Sequence, residues 1–136
     1  MFLETDRIIL REINRDDNDE LYMLESDPEI MRFVSNGVPL SREQVEAGTE
    51  RILNLRTKHS GRFGCWAAVD KATGKFLGWF LFRPAHNDAE NLRRIEIGYR
   101  LKKKYWGLGI ATEVVKAIIE KGFNEYSLLE IFAVAV

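Results

Sequence analysis

Only one cysteine, Cys65, occurs in the sequence, so no disulfide can form within the chain. Histidine is almost as scarce: His59 and His86 stand apart rather than at metal-ligand spacing, and no resident metal is expected. Long apolar runs are also missing. A stretch such as "IFAVAV" at the end falls far short of the ~20 residues that cross a bilayer, so no membrane is expected as a partner. The opening "MFLETDRIIL" has no basic leader followed by an apolar block, so a secretory signal is not expected and a cytoplasmic location is. Charge of one sign is lacking too: the net value of -1 gives no global basic field, which argues against nucleic acid held by counterion release. An anionic ligand has to be bound locally. What is present is 136 residues, 46% hydrophobic and 30% charged, which suits one soluble core and a single domain over residues 1–136.

Patterning along the chain gives the element order. "RIILREI" (Arg7 to Ile13) reads as a strand, and Asn14 with Asp17 three residues on offers the N-cap of a helix from about Arg15 to Ser26. Asp27-Pro28-Glu29 restarts a helical turn before "SNGVP" breaks it. Ser41 and Gln44 form a capping box opening a helix on which Val45, Ile52 and Leu55 share a face despite Gly48, ending near Gly61. From Phe63 the period becomes two, and "DKATG" turns that strand into "KFLGWFLF", an antiparallel hairpin. "RPAHNDAENLR" is a polar loop; a strand from Arg94 to Leu101, a helix from about Leu108 to Tyr126 and a final strand "EIFAVAV" follow. The order β-α-α-β-β-β-α-β predicts an α/β (α+β) fold, a mixed and mostly antiparallel sheet with helices on both faces. The last strand-helix-strand unit should pair its strands in parallel.

Gly107 and Gly109 stand where that last helix begins, after Lys102, Lys103 and Lys104, which would either add attraction for an anion at the same mouth or form a solvated face. Glycine admits close approach to the main chain, and unpaired N–H groups at a helix start attract anions. These glycines fit either a tight connection or a phosphate cradle. Two phosphate motifs fail: no Gly-Lys-Ser/Thr is supplied, and Thr112 stands where a dinucleotide fingerprint wants its third glycine.

The string "IEIGYRLKKKYWGLGIATEVVKAI" resembles the acetyl-CoA-binding core of the GNAT (Gcn5-related) N-acetyltransferases. "ETDRIILREI" and "WAAVDKATGKFLGWFLF" match in order the branch containing the ribosomal-protein alanine N-acetyltransferases. The resemblance implies the GNAT acyl-CoA N-acyltransferase fold, with acetyl-CoA as cosubstrate and an amine acceptor. The family's pyrophosphate signature falls on Trp106, Gly107, Leu108, Gly109, Ile110 and Ala111, with Trp106 replacing the usual Arg or Gln. Carried over, Ile97, Gly98, Tyr99 and Leu101 would flank the pantetheine arm, and Gly107 to Thr112 would surround the diphosphate. The family fold continues beyond the strand that here stops at Val136, and a tyrosine often proposed as acid to the thiolate lies in that part. A fragment or truncated product is therefore expected.

Acetyl transfer to an amine needs a polarised carbonyl and a base, and a backbone N–H near Ile97 or Tyr99 could serve the first. Glu96 is the candidate base; strand alternation lets it face either the cleft or an arginine. Glu113, in the first turn of the helix, is explained by the helix dipole alone. Trp66, Trp79, Phe80 and Phe82 read as core, with alternation leaving open which of them could line an acceptor cleft, and Cys65 as a small buried hydrophobe with no histidine near it. The acidic run Asp16, Asp17, Asp19 and Glu20 reads as a solvated face that could also draw a cationic substrate. The acceptor is left open between a protein N-terminus or other peptide and a small amine, as is a homodimer. The alternative reading is a CoA-binding or interaction module without catalysis.

Overall fold

A computed structural model describes residues 2–32, 37–85 and 88–133. Six strands form one sheet in sequence order: β1 (Leu3–Glu4), β2 (Ile8–Glu12), β3 (Gly64–Asp70), β4 (Phe76–Pro84), β5 (Arg94–Leu101) and β6 (Glu130–Ala133). Neighbours are antiparallel except β5 and β6, which run parallel as the crossover order requires. The added strand is β1, whose two residues pair with Leu10 and Ile9 and are too short to leave a period in the sequence. The tail of the expected last strand (Val134–Val136), part of the "SNGVP" break and His86–Asn87 lie outside the described residues.

Among the described residues the α-helices are α1 (Asn18–Glu25), α2 (Pro28–Met31), α3 (Arg42–Lys58) and α4 (Ile110–Glu125). A 3-10 turn, Arg15–Asp17, leads into α1 and is capped as its sequence suggests: Asn14 Oδ1 accepts from the Asp16 N–H, and Asp17 accepts from the Asn14 N–H. Asp17 is buried yet satisfied, because Arg11 closes on both its oxygens at 2.9 and 2.8 Å. The Ser41/Gln44 box opens α3 with bonds of 2.8 and 3.2 Å.

Each sheet face has its own core. Beneath α4 lie Phe63, Trp66, Phe80, Phe82, Ile95 and Ile97 with Val114 and Ile118; beneath α1–α3 lie Ile13, Leu21, Leu24, Val45, Cys65 and Ala67. Both faces being covered, residues 64–68 are buried without interruption, so the period of two expected from Phe63 is not matched by an alternation of burial in β3.

Candidate active site

The turn from β5 into α4 is held by side chain and backbone together. Lys103–Tyr105 make a 3-10 turn, and the Trp106 indole N–H donates to the Leu101 carbonyl at 2.9 Å, closing the connection. Gly107 and Gly109 then take the left-handed conformation, at φ 78° and 77°. Gly109 is the N-cap of α4, so the free N–H groups of the first turn, with the positive end of the helix dipole, face outward beside it.

These elements enclose a groove of about 660 Å³ between β5 and α4. It brings together Ile97, Gly98, Tyr99, Leu101, Trp106, Gly107, Gly109, Ile110, Ala111 and Thr112, ten of the residues expected to touch the cosubstrate. Two expected site residues stand elsewhere. Leu108 is exposed and contributes its carbonyl to a different contact, described below. Glu96 lies on the opposite face of β5, in register with Arg83, whose Nε is 3.4 Å from its Oε2. The open alternative for Glu96 thus resolves toward an arginine on the α1–α3 side. Pairing between β5 and β6 is described as far as Ile97 with Ala133, and Ala133 closes the groove there.

Arg7 and Thr5 are functional neighbours that sequence reasoning missed. The Thr5 hydroxyl and the Arg7 main-chain N–H both donate to Glu113 Oε2, Arg7 Nε donates to Oε1 at 2.7 Å, and Arg7 Nη1 donates to the Leu108 carbonyl at 3.0 Å. The start of β2 therefore clamps both the glycine turn and the first turn of α4. The Thr5 bond holds the Glu113 carboxyl below the usual carboxylate range, with Arg7 adding to it and burial opposing. Glu113 thus does more than complement the dipole, and Arg7 offsets a negative charge that would otherwise repel an anion at the turn.

The lysine run is also placed differently from the expectation of a basic mouth. Lys102 pairs with Glu20 of α1 and Lys103 with Glu29 beside it on α2, while Lys104 sits 5.2 Å over the Tyr105 ring. By the same bonds the acidic start of α1 is neutralised: Asp17 by Arg11, Asp19 by Arg42, Glu20 by Lys102. Burial pushes the Cys65 thiol up, so it stays protonated and takes no part in nucleophilic chemistry.

A second cavity, of about 360 Å³, lies on the α1–α3 side of the sheet. Its polar lining includes Glu25, which accepts from the Trp79 indole N–H at 2.8 Å and pairs with Arg100. Arg100 lines both cavities, so they adjoin across β5. Among the described residues no group of three or more His, Cys, Asp or Glu could hold a metal, and no helix is long and apolar enough to cross a membrane.

Comparison with known proteins decides the family. A sequence profile described as "Acetyltransferase (GNAT) domain" matches residues 7–136. The chain belongs to the GNAT acetyltransferase family. It is 31% identical over 134 residues to the FsC-acetyl coenzyme A-N(2)-transacetylase of Aspergillus fumigatus, covering 95% of this chain and 55% of that protein. The chain thus spans about half the length of that curated relative. A GNAT-family acetyltransferase of Bacillus anthracis superposes with a TM-score of 0.81 at 21% identity, covering 98% of this chain and 72% of that one. The spermidine N-acetyltransferase of Vibrio cholerae, solved with CoA and spermine, gives 0.69 at 17% identity, over 95% and 71% of the two chains. These GNAT neighbours share the mixed six-stranded fold described above.

Proposed function

We propose that the domain binds acetyl-CoA in the β5–α4 groove and transfers its acetyl group to a primary amine by direct attack. The observation that carries this reading is the pair of left-handed glycines at the N-terminus of α4, opening on a groove walled by one edge of β5. A diphosphate fits the first-turn N–H groups there, since each charge-assisted hydrogen bond contributes about 1.5–3 kcal/mol and no deep pocket is needed. The pantetheine arm would run along Ile97 to Leu101 as an added strand. Acetyl-CoA supplies an activated acyl group; the chain's own work is to hold it, exclude water and receive a proton.

Glu96 is the proposed acceptor of the amine proton. It stands on the β5 face opposite the groove-lining side chains, next to Gly98, which presents no side chain between the two cavities. Attack forms the carbon–nitrogen bond and breaks the carbon–sulfur bond; the amine proton goes to the carboxylate and the thiolate leaves. The family's ribosomal-protein branch offers a protein N-terminus as one acceptor class, and small amines are the other.

Isothermal titration with CoA tests donor binding, and thiol release with acetyl-CoA and a panel of amines tests transfer. Replacing Glu96 by glutamine should lower kcat while leaving CoA affinity unchanged. A folded protein that binds no CoA at millimolar concentration would overturn the reading. CoA binding without thiol release from any amine would favour the non-catalytic module.

A further inference from the structure

The α1–α3 cavity has a lining that the donor reading does not use. Its walls are mainly apolar, with Val45 and Ile52 from α3 facing Trp79 and Leu81 from β4. Its charged members are three arginines, Arg51, Arg83 and Arg100, and one carboxylate, Glu25, with Glu96 bonded to Arg83 beside them. Both carboxylates are already engaged: Glu25 by Arg100 and Trp79, Glu96 by Arg83. Arg51, exposed at the rim, has no carboxylate partner among the described residues, so the cavity mouth carries one unpaired cation.

A second observation points to the same end of the cavity. Gly48 lies in the interior of the 17-residue α3, where glycine is disfavoured relative to alanine, and its φ is not one that requires glycine. It lines the cavity, and the one atom within 4 Å of where its side chain would begin is Arg51 Nη2, at 3.6 Å. The guanidinium of Arg51 therefore folds back one helical turn over the space that Gly48 leaves empty. Glycine here makes room for a cation at the cavity mouth.

We propose that this cavity takes an amine acceptor with an apolar body and a carboxylate, the carboxylate held by Arg51; the assignment rests on the acetyl-transfer reading and names its acceptor class. Charge complementarity favours it over a polycation, which would find both lining carboxylates committed and the acids at the start of α1 paired outside. A net positive surrounding also disfavours the ammonium form, so the amine is kept neutral and nucleophilic. The two cavities adjoin at β5. Arg100 belongs to both cavities, and a side chain at Gly98 would point toward Leu81 Cδ2 at 3.9 Å, into the α1–α3 cavity. Its absence leaves the main chain of Gly98 bare on that face of the sheet.

Binding of acetylated product analogues tests this without the need for turnover. N-acetyl-leucine and N-acetyl-leucinamide differ only in the carboxylate, and titration should show the acid bound about tenfold or more tightly, as one charge-assisted contact predicts. Arg51→Gln should erase that preference with the melting temperature unchanged. Gly48→Leu, which improves helix propensity and fills the guanidinium's place, should also erase it while the melting temperature holds or rises. Equal binding of the two compounds, binding of neither, tighter binding of spermidine, or a preference retained in Arg51→Gln would overturn the assignment. CoA titration run in parallel separates the two readings: CoA bound with no carboxylate preference overturns the acceptor class alone, whereas a carboxylate preference without CoA binding overturns the donor reading.

Discussion

On one side of β5 the α4 groove presents main-chain N–H groups, two left-handed glycines and a strand edge; on the other side the α3 cavity presents three arginines and an apolar wall. The first is a site made of backbone, the second a site made of side chains. A backbone site depends on conformation, so it needs glycine at fixed places and tolerates change in the other residues. A side-chain site depends on what happens to meet in space, here residues of α1, α3, β4 and β5. Donor recognition can therefore be shared across a family while acceptor recognition changes with a few substitutions.

Two substitutions would break the backbone side of that contrast. Gly109→Val should have the largest effect, because valine at φ 77° costs about 1–3 kcal/mol and distorts the N–H cradle. Losing two charge-assisted bonds would weaken CoA by about a hundredfold or more, read by titration together with a lower melting temperature. Undiminished CoA affinity would show that the cradle is not the phosphate site. Arg7→Gln should come next. Without its bonds to Glu113 and the Leu108 carbonyl the turn loses its clamp, and the KM for acetyl-CoA should rise about tenfold with kcat nearly unchanged. A fall in kcat at constant KM would place Arg7 in the chemistry instead.

The two sites also differed in how far the sequence disclosed them. The hairpin, the Asn14 N-cap, the Ser41/Gln44 capping box and the strand-to-helix order at the β5–α4 connection are all local, each set by residues within a few positions, and all are present. The ten groove residues that the family resemblance implied lie in one continuous stretch around a turn, so a local motif could carry them. Arg7 was not, since its partner Glu113 lies 106 residues away and no spacing links them. The same applies to Lys102 with Glu20: a triple lysine looks like a basic mouth until the helices that neutralise it are in place. Glu96 lies on β5 as expected, but its pairing with Arg83 is a cross-strand contact that no local spacing discloses. The cavity over Gly48 required residues of α1, α3, β4 and β5 to meet, so the glycine in the helix looked only like a local defect.

Acidity gives a finer probe of the clamp. Because the folded-state pKa of Glu113 is depressed, its contribution to stability is fully present above its ordinary value of 4.5 and is lost as pH falls through the depressed one. The melting-temperature gap between the wild type and Glu113→Gln should thus be constant near neutrality and close progressively in acid. A gap that widened on acidification would mean that the carboxyl is not stabilised by Thr5 and Arg7.

The smallest effect concerns Cys65, which borders the side-chain cavity without belonging to its polar chemistry. Burial raises its pKa, so at neutral pH the folded protein holds it as a thiol, shielded from reagents. Iodoacetamide should leave the native chain unmodified and label it once in denaturant, as read by intact mass. Cys65→Ala should cost roughly 1 kcal/mol by removing a small buried group and leave transfer unchanged. If alkylation proceeded in the native state and blocked amine acetylation while CoA still bound, the α3 cavity would have to open far enough to expose β3. The contrast between a fixed backbone site and a fixed side-chain site would then give way to one between a rigid donor groove and a mobile acceptor cavity.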